Sequence, residues 1–307
     1  MNGSTSSLAR NALTVDVEDY FHVWAFRDVV FPEHWDSMEC RVERNTHKVL
    51  ELLAEFRLYA TFFILGWVAE RYPFLVRDIV AAGHEVGCHS YSHRLVYDLT
   101  PDEFRADTRH ALKAIEDVAG VQVRAYRAPS FSITARSLWA IEILLELGFR
   151  IDSSVFPSKN CLYGIAGAPR RPFRIRLEGS ELVEFPAATL QIGRWAIPVT
   201  GGAYLRLLPY WYQVLALNAM ARQAEPAVLY FHPWELDPDQ PVVASPFGSR
   251  FYHYVGLKGT EGRLRGLFGS FRFGKLSDSI PSSTPVYEVA PGDKRKTQGS
   301  TLRVVAQ

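Results

Sequence analysis

A chain of 307 residues, 48% hydrophobic and 22% charged, can bury one large α/β domain with an extension, or two small domains. Its formal net charge of +1 excludes the strong positive field of a nucleic-acid or acidic-membrane binder, so no nucleic-acid partner is expected. The longest apolar stretch, residues 60–69, is too short to cross a bilayer, so no transmembrane segment is expected.

Residues 1–10 are polar and Ser-rich, with no apolar run of the kind a secretory leader needs. They read as a flexible N-terminus. Cys40, Cys88 and Cys161 form no Cys-x-x-Cys pair, and an odd count suits a reducing compartment better than a disulfide framework. The expected location is the cytoplasm.

Residues 12–16 (ALTVD) read as a buried strand, 46–56 as an amphipathic helix and 60–65 as a β-rich apolar run. Residues 68–82 are helical with a break near Pro73, and 84–89 form a short strand after Gly83. Thr100-Pro-Asp-Glu103 is a helix start, with Thr as N-cap, Pro at the first helical position and Glu placed for a capping box. That helix runs to about 119 and stops at Gly120. Then come a strand over 121–126, a helix over 134–147 closed by Gly148, strands over 149–152 and 182–185, a helix over 208–223 and a buried strand over 227–231. Roughly seven strands with intervening helices favour a parallel, barrel-like α/β domain over an all-β fold. After Glu235 the character changes. Residues 237–241 are a loop, 247–273 are rich in aromatic and basic residues with a helical stretch near 260–268, and the polar tail from 290 reads as disordered.

In a parallel α/β barrel, reactive side chains collect at the C-terminal strand ends. Asp16, Glu18 and Asp19 end the first strand, His89 and His93 follow the third, and Arg127, Asp152 and His232 end later ones. Two histidines four residues apart prove little alone, since nine histidines in 307 residues give about a quarter of such a pair by chance. Three carboxylates in four positions after an apolar strand cannot all be buried unpaired. A metal held by two His and one carboxylate accounts for both clusters and leaves positions open for water and substrate. Arg127 can pair with Asp16 and orient it. The plain alternatives are a solvated acidic loop, a surface arginine, a satisfied core histidine at 232 and a turn residue at Asp152. Cys88 points away from His89 by strand alternation and reads as an inert buried thiol.

Thr14-Val-Asp16, His89-x-x-x-His93, Arg127-x-Pro129, Asp152-Ser-Ser and Leu229-x-x-His232 resemble, in order and spacing, the five motifs of the NodB-homology polysaccharide deacetylases, carbohydrate esterase family 4. The resemblance covers about residues 10–235. The segments 201–209 and 251–274 resemble a subgroup associated with exosortase-linked exopolysaccharide genes, which carries a C-terminal extension. One departure stands out: the family opening has two adjacent aspartates, and here Val17 takes the second place. The metal carboxylate therefore falls to Glu18, at the offset of a related branch, or to Asp19.

The resemblance implies an irregular (β/α)7 barrel over residues 11–235, an extension over 236–289 packed on it, and a tail over 290–307. It implies a Zn²⁺ ion, or another divalent metal such as Co²⁺ or Ni²⁺, on His89, His93 and Glu18 or Asp19. Asp16 would be the general base held by Arg127, and His232 the general acid oriented by Asp152. Pro129, Tyr204, Trp234 and Trp195 would line the sugar groove. The implied substrate is an N-acetylated oligo- or polysaccharide, resembling an exopolysaccharide or peptidoglycan, with acetate released. A contact with the polysaccharide biosynthesis machinery is a further expectation. The alternatives are a hydrolase of a small cyclic amide, as in the allantoinase-like branch, and an inactive sugar-binding domain.

Overall fold

From the N-terminus the elements are β1 (Asn11–Val17), α1 (Val42–Glu55), β2 (Thr61–Ile64), α2 (Gly66–Arg71), α3 (Pro73–Ala81), β3 (Glu85–Cys88), α4 (Pro101–Ala119), β4 (Ala125–Tyr126), α5 (Ala140–Glu146) and β5 (Ile151–Asp152). Two hairpins follow, β6 (Phe173–Leu177) with β7 (Ser180–Glu184), and β8 (Thr189–Ile192) with β9 (Trp195–Pro198). The chain continues through α6 (Gly202–Leu207), α7 (Tyr210–Arg222), β10 (Val228–Phe231), α8 (Phe247–Tyr254), α9 (Leu257–Ser270), β11 (Phe273–Gly274), β12 (Val286–Ala290) and β13 (Thr301–Val304). This computed structural model describes residues 10–158, 163–193, 195–290 and 301–304.

The main sheet runs β10-β1-β2-β3-β4-β5-β7-β6-β12-β13, with β11 also paired to β1. Pairing is parallel from β10 through β5 to β7, and the β6–β7 and β12–β13 pairs are antiparallel. The fold is thus α/β with a mostly parallel sheet, as expected, and the strand path does not close into a ring among the described residues. All seven residues of β1 are buried, because helices cover one face and an inner apolar cluster fills the other. Ala12, Phe63, Ala125, Phe156, Phe185, Val228 and Tyr230 belong to that inner cluster, on the face of β1 that carries Thr14 and Asp16.

Local chemistry explains where elements begin and where they fall short. The capping box at Thr100 is present: Glu103 N–H donates to Thr100 Oγ1 at 3.3 Å, and Thr100 N–H donates to Glu103 Oε2 at 2.8 Å. Pro73 separates α2 from α3, since it cannot continue the hydrogen-bond ladder. The strand expected over 121–126 is only β4, because the Val123 N–H is taken by the Glu116 carboxylate at 2.8 Å. The helix expected over 134–147 is only α5, preceded by a turn in which Thr134 N–H donates to Ser137 Oγ at 2.9 Å.

Beyond residue 235 the chain joins the same sheet: β11 pairs in parallel with β1, and β12 with β6. α9 buries Leu264, Leu267 and Phe268. The expectation of disorder from 290 fails at Thr301–Val304, which pairs with β12. The expected flexibility of residues 1–9, the state of Cys161, and the tail at 291–300 and 305–307 lie outside the described residues. No helix among the described residues is long and apolar enough to cross a membrane.

Candidate metal and catalytic site

Because β1, β2, β3, β4 and β10 are parallel, their C-terminal ends share one rim. Asp16 and Glu18 arrive from β1, His89 follows β3, Arg127 follows β4 and His232 follows β10. Asp16, Glu18, His89, His93 and His232 line a cavity of about 590 Å³.

Glu18, His89 and His93 bring one ligand atom each to within 4.8 Å of one another. His89 Nδ1 donates to the Arg127 carbonyl at 2.8 Å, which fixes the tautomer and leaves Nε2 as the free ligand atom. His93 sits at φ 54, a left-handed turn that brings its ring centroid to 5.3 Å from that of His89. Glu18 Oε2 lies 2.9 Å from His93 Nε2 and is a buried oxygen with no hydrogen-bond partner among the described residues. Burial pushes His89 down to about 4 and keeps it neutral. Burial alone would raise Glu18, but His93, His232 and His89 outweigh it and hold the carboxyl well below its usual range. Neutral imidazole beside an ionised carboxylate is the state a divalent cation requires, and two nitrogens with one oxygen suit a zinc-like ion with open positions. The residues present fit such a group.

Arg127 is fully buried and spends its donors on one cradle. Nη1 donates to Asp16 Oδ1 at 2.8 Å and to Thr14 Oγ1 at 2.7 Å, Nη2 to Ser153 Oγ at 2.8 Å, and Nε to the Ser153 carbonyl at 3.2 Å. Its guanidinium lies over the Phe63 ring at 4.4 Å. Asp16 is thereby locked through Oδ1, and Oδ2 lies 3.9 Å from His232 Nε2.

His232 Nδ1 pairs with Glu235 Oε1 at 2.6 Å, and its Nε2 lies 3.4 Å from Glu18 Oε1. Burial would lower this imidazole, but Glu18, Glu235 and Asp16 outweigh that and lift it to about 9. Trp234 stacks on the ring, with centroids 5.1 Å apart and planes at 17°, and its indole N–H donates to Glu18 Oε1 at 3.3 Å.

Other expected residues sit elsewhere. Asp19 is absent from the ligand cluster: its carboxylate accepts from the backbone N–H groups of Tyr20 at 2.9 Å, Arg41 at 2.5 Å and Val42 at 2.8 Å, fastening the rim loop to the start of α1. Burial raises it to about 6 against those three bonds. Asp152 does not orient His232. It accepts from Ser154 Oγ at 2.5 Å and neighbours the buried Glu184 carboxyl, and burial raises it to about 6. Pro129 is buried and does not itself line the cavity, whereas its neighbours Ala128, Ser130 and Phe131 do. Trp195 stands exposed on β9, away from the lining. Tyr204 lines the cavity with its hydroxyl 2.5 Å from that of Tyr163, and Trp234 lines it as a buried wall. Cys88 is buried with its thiol pushed far up by desolvation, an inert core residue.

Sequence reasoning missed Glu235, Arg206 and Tyr230. Glu235 had a signal in its spacing, three residues after His232 on the turn Pro233–Leu236. The wall formed by Tyr230 depends on Gly201, at φ 100, where a Cβ would come within 2.0 Å of the tyrosine ring. Gly248, Ser249, Tyr252 and His253 of α8 also line the cavity, so the C-terminal segment contributes a wall.

The family model for polysaccharide deacetylase matches residues 34–151, and the model for a domain of unknown function, DUF3473, matches 153–281. A peptidoglycan-N-acetylglucosamine deacetylase of Bacillus cereus is 35% identical over 98 residues, 32% of this chain and 36% of that protein. A chitooligosaccharide deacetylase of Azorhizobium caulinodans is 33% identical over 114 residues, 36% of this chain and 53% of that protein. The chain thus spans about a third to a half of the length of these relatives. A crystal structure of a provisionally named polysaccharide deacetylase from Mycobacterium smegmatis superposes with a TM-score of 0.60 at 22% identity, covering 88% of this chain and 85% of that one, which shows a shared fold. Two models are thus matched in tandem on this fold: residues 34–151 are similar to the polysaccharide deacetylases, and residues 153–281, which include the C-terminal extension, match DUF3473.

Proposed function

We propose that this protein is a metal-dependent N-deacetylase that hydrolyses the acetamide of an amino-sugar oligo- or polysaccharide. The observation that carries the reading is a base and an acid beside one ligand triad: Asp16, locked by Arg127, and His232, locked by Glu235, with Glu18, His89 and His93 at the same cavity. The names of the relatives, deacetylases of peptidoglycan and chitooligosaccharide, support the substrate class. Glu18, His89 and His93 would hold the ion, zinc in our reading, and a bound divalent cation supplies Lewis acidity toward an amide carbonyl and a water.

This chain's own residues do the proton work. Asp16 Oδ2 takes a proton as water adds to the acetyl carbon, and Arg127 keeps the carboxylate oriented. The C–N bond then breaks with its electron pair on nitrogen. The His232 imidazolium gives its Nε2 proton to that nitrogen, releasing acetate and a free amino sugar. Aromatic walls at Tyr204, Tyr230 and Tyr252 present apolar faces on which a sugar ring can stack. We assign the polymer to the exopolysaccharide class from the resemblance in segments 201–209 and 251–274. The unpaired thiols of Cys40 and Cys88 suit a reducing compartment, the cytoplasm in this reading.

The test is acetate release from a panel of N-acetylated oligosaccharides by zinc-reconstituted protein. Activity on at least one of them is expected, lost together with metal in His89→Ala and His93→Ala. Failure of the wild type on every acetamide, with one metal bound per chain, would reject the reading.

A further inference from the structure

The ion pair behind His232 reaches out of the rim into the C-terminal extension. Glu235 is fully buried, with Oε1 on His232 Nδ1 at 2.6 Å and Oε2 lying 3.3 Å from Arg206 Nε. Arg206, on α6, is itself 4% exposed. Its Nη1 donates to the backbone carbonyls of His253 at 2.7 Å, Val255 at 2.7 Å and Tyr252 at 3.3 Å, around the C-terminal end of α8. Gly256 turns the chain there at φ 76, and a Cβ would meet the Arg206 carbonyl oxygen at 3.0 Å and its Cβ at 3.1 Å. A carboxylate and a guanidinium each cost several kcal/mol to bury unless well paired. A purely structural tie would satisfy that requirement anywhere, but this carboxylate sits on Nδ1, the imidazole nitrogen opposite the Nε2 that lies 3.4 Å from Glu18. It therefore fixes the ring tautomer, aims Nε2 at the reacting side and stabilises the imidazolium. Asp152, the position that the family resemblance assigns to this task, is occupied with Ser154 and Glu184.

We propose that Glu235, held by Arg206 against the backbone carbonyls of the extension, is the positioning residue for His232, so that the extension takes part in protonating the departing amine. The proposal rests on the deacetylase reading above. It is tested with zinc-loaded Glu235→Gln and Arg206→Lys on two acetyl donors: an N-acetyl chitooligosaccharide, whose nitrogen must be protonated to leave, and 4-nitrophenyl acetate, whose phenolate needs no proton. Glu235→Gln is expected to lose about 10²-fold in kcat on the acetamide with KM and metal content unchanged, while ester hydrolysis stays at the wild-type level. Arg206→Lys shows the same selectivity at smaller size. Equal losses on both substrates, or none on the acetamide, would overturn the proposal. A second readout does not need turnover. In ¹⁵N-histidine-labelled protein, a far-downfield Nδ1–H signal assigned by His232→Gln is expected in the wild type and absent in Glu235→Gln. Its absence from the wild type overturns the positioning role, whereas its presence with no activity on any acetyl donor rejects the deacetylase reading alone.

Discussion

Two arginine–carboxylate pairs stand at the cavity that holds the ligand triad, and they differ in what anchors their arginines. Arg127 comes from the strand rim, and its side-chain hydrogen bonds go to Thr14 and Asp16 on β1 and to Ser153, just after β5. Arg206 comes from α6 and is held by carbonyls at the end of α8, outside the strand rim. The base is thus fixed by the sheet, and the acid by a segment laid over it. The difference teaches that two equally buried ion pairs can be unequally exposed to change: the second is held by carbonyls of the extension, and none of the hydrogen bonds of the first reaches it.

The severest way to break this comparison is to end the chain after Glu235. The cut removes Leu264, Leu267 and Phe268, each fully or nearly buried. At about 1.5–3 kcal/mol per large apolar side chain, that alone approaches the whole stability of a domain. The truncated protein is expected to be insoluble or to lose its cooperative thermal transition. A folded, soluble and active fragment would show that the extension neither braces the sheet nor supports His232.

The next largest effect isolates the base side. Asp16→Asn keeps the shape of the side chain and its contact with Arg127 but cannot accept a proton. It is expected to keep one metal per chain and lose about 10²–10⁴-fold in turnover, with equal loss on acetamide and aryl ester. That equality distinguishes it from the selective loss expected on the acid side. Near-wild-type turnover would remove Asp16 from the base role.

What could be read from sequence follows the same division. Asp16, His89, Arg127 and His232 lie at or next to strand ends, where an apolar run followed by a polar residue is a local signal, and the parallel order then brings them together. Glu235 was one step away, visible as i,i+3 spacing but overshadowed by the expectation that Asp152 would serve. Arg206 carried no local signal: its partner Glu235 lies far along the chain, and the arginine's hydrogen bonds go to backbone carbonyls 46–49 residues further on, which every residue possesses. The helix α8 was hidden for a different reason: its eight residues are amphipathic but make barely two turns, shorter than the window in which a helical period can be read. The choice between Glu18 and Asp19 was likewise undecidable from spacing, because it turns on the loop that points Asp19 at the backbone of α1.

That choice supplies a smaller effect. Asp19→Ala is expected to keep its metal and lose about 1–2 kcal/mol of stability, the size of a lost helix-start bond. Glu18→Ala is expected to lose the metal. Calorimetry with elemental analysis of both variants checks this, and metal loss in Asp19→Ala with metal retained in Glu18→Ala would reverse the assignment.

The smallest effect concerns the acid that neither arginine holds directly. Asp152 and Glu184 face each other in full burial, with Asp152 raised to about 6 and Glu184 raised well above its usual range, by desolvation first and, for Glu184, by the neighbouring Asp152 carboxylate. The sign follows from linkage. Below pH 3.8 Asp152 is protonated folded or unfolded, and the pair is at its most stable. Between 3.8 and about 6 the unfolded chain releases this proton while the folded chain keeps it, so stability falls as pH rises; above about 6 the part of the loss that belongs to Asp152 is complete. Asp152→Asn, which cannot ionise and can donate to Glu184, is expected to flatten the stability profile across that window and to leave the preference between acetamide and aryl ester unchanged. Thermal melts from pH 4 to 8 measure the first, and the paired kinetic assay the second. A selective loss on the acetamide would return the orientation of His232 to Asp152 and remove the asymmetry between the two pairs at the site.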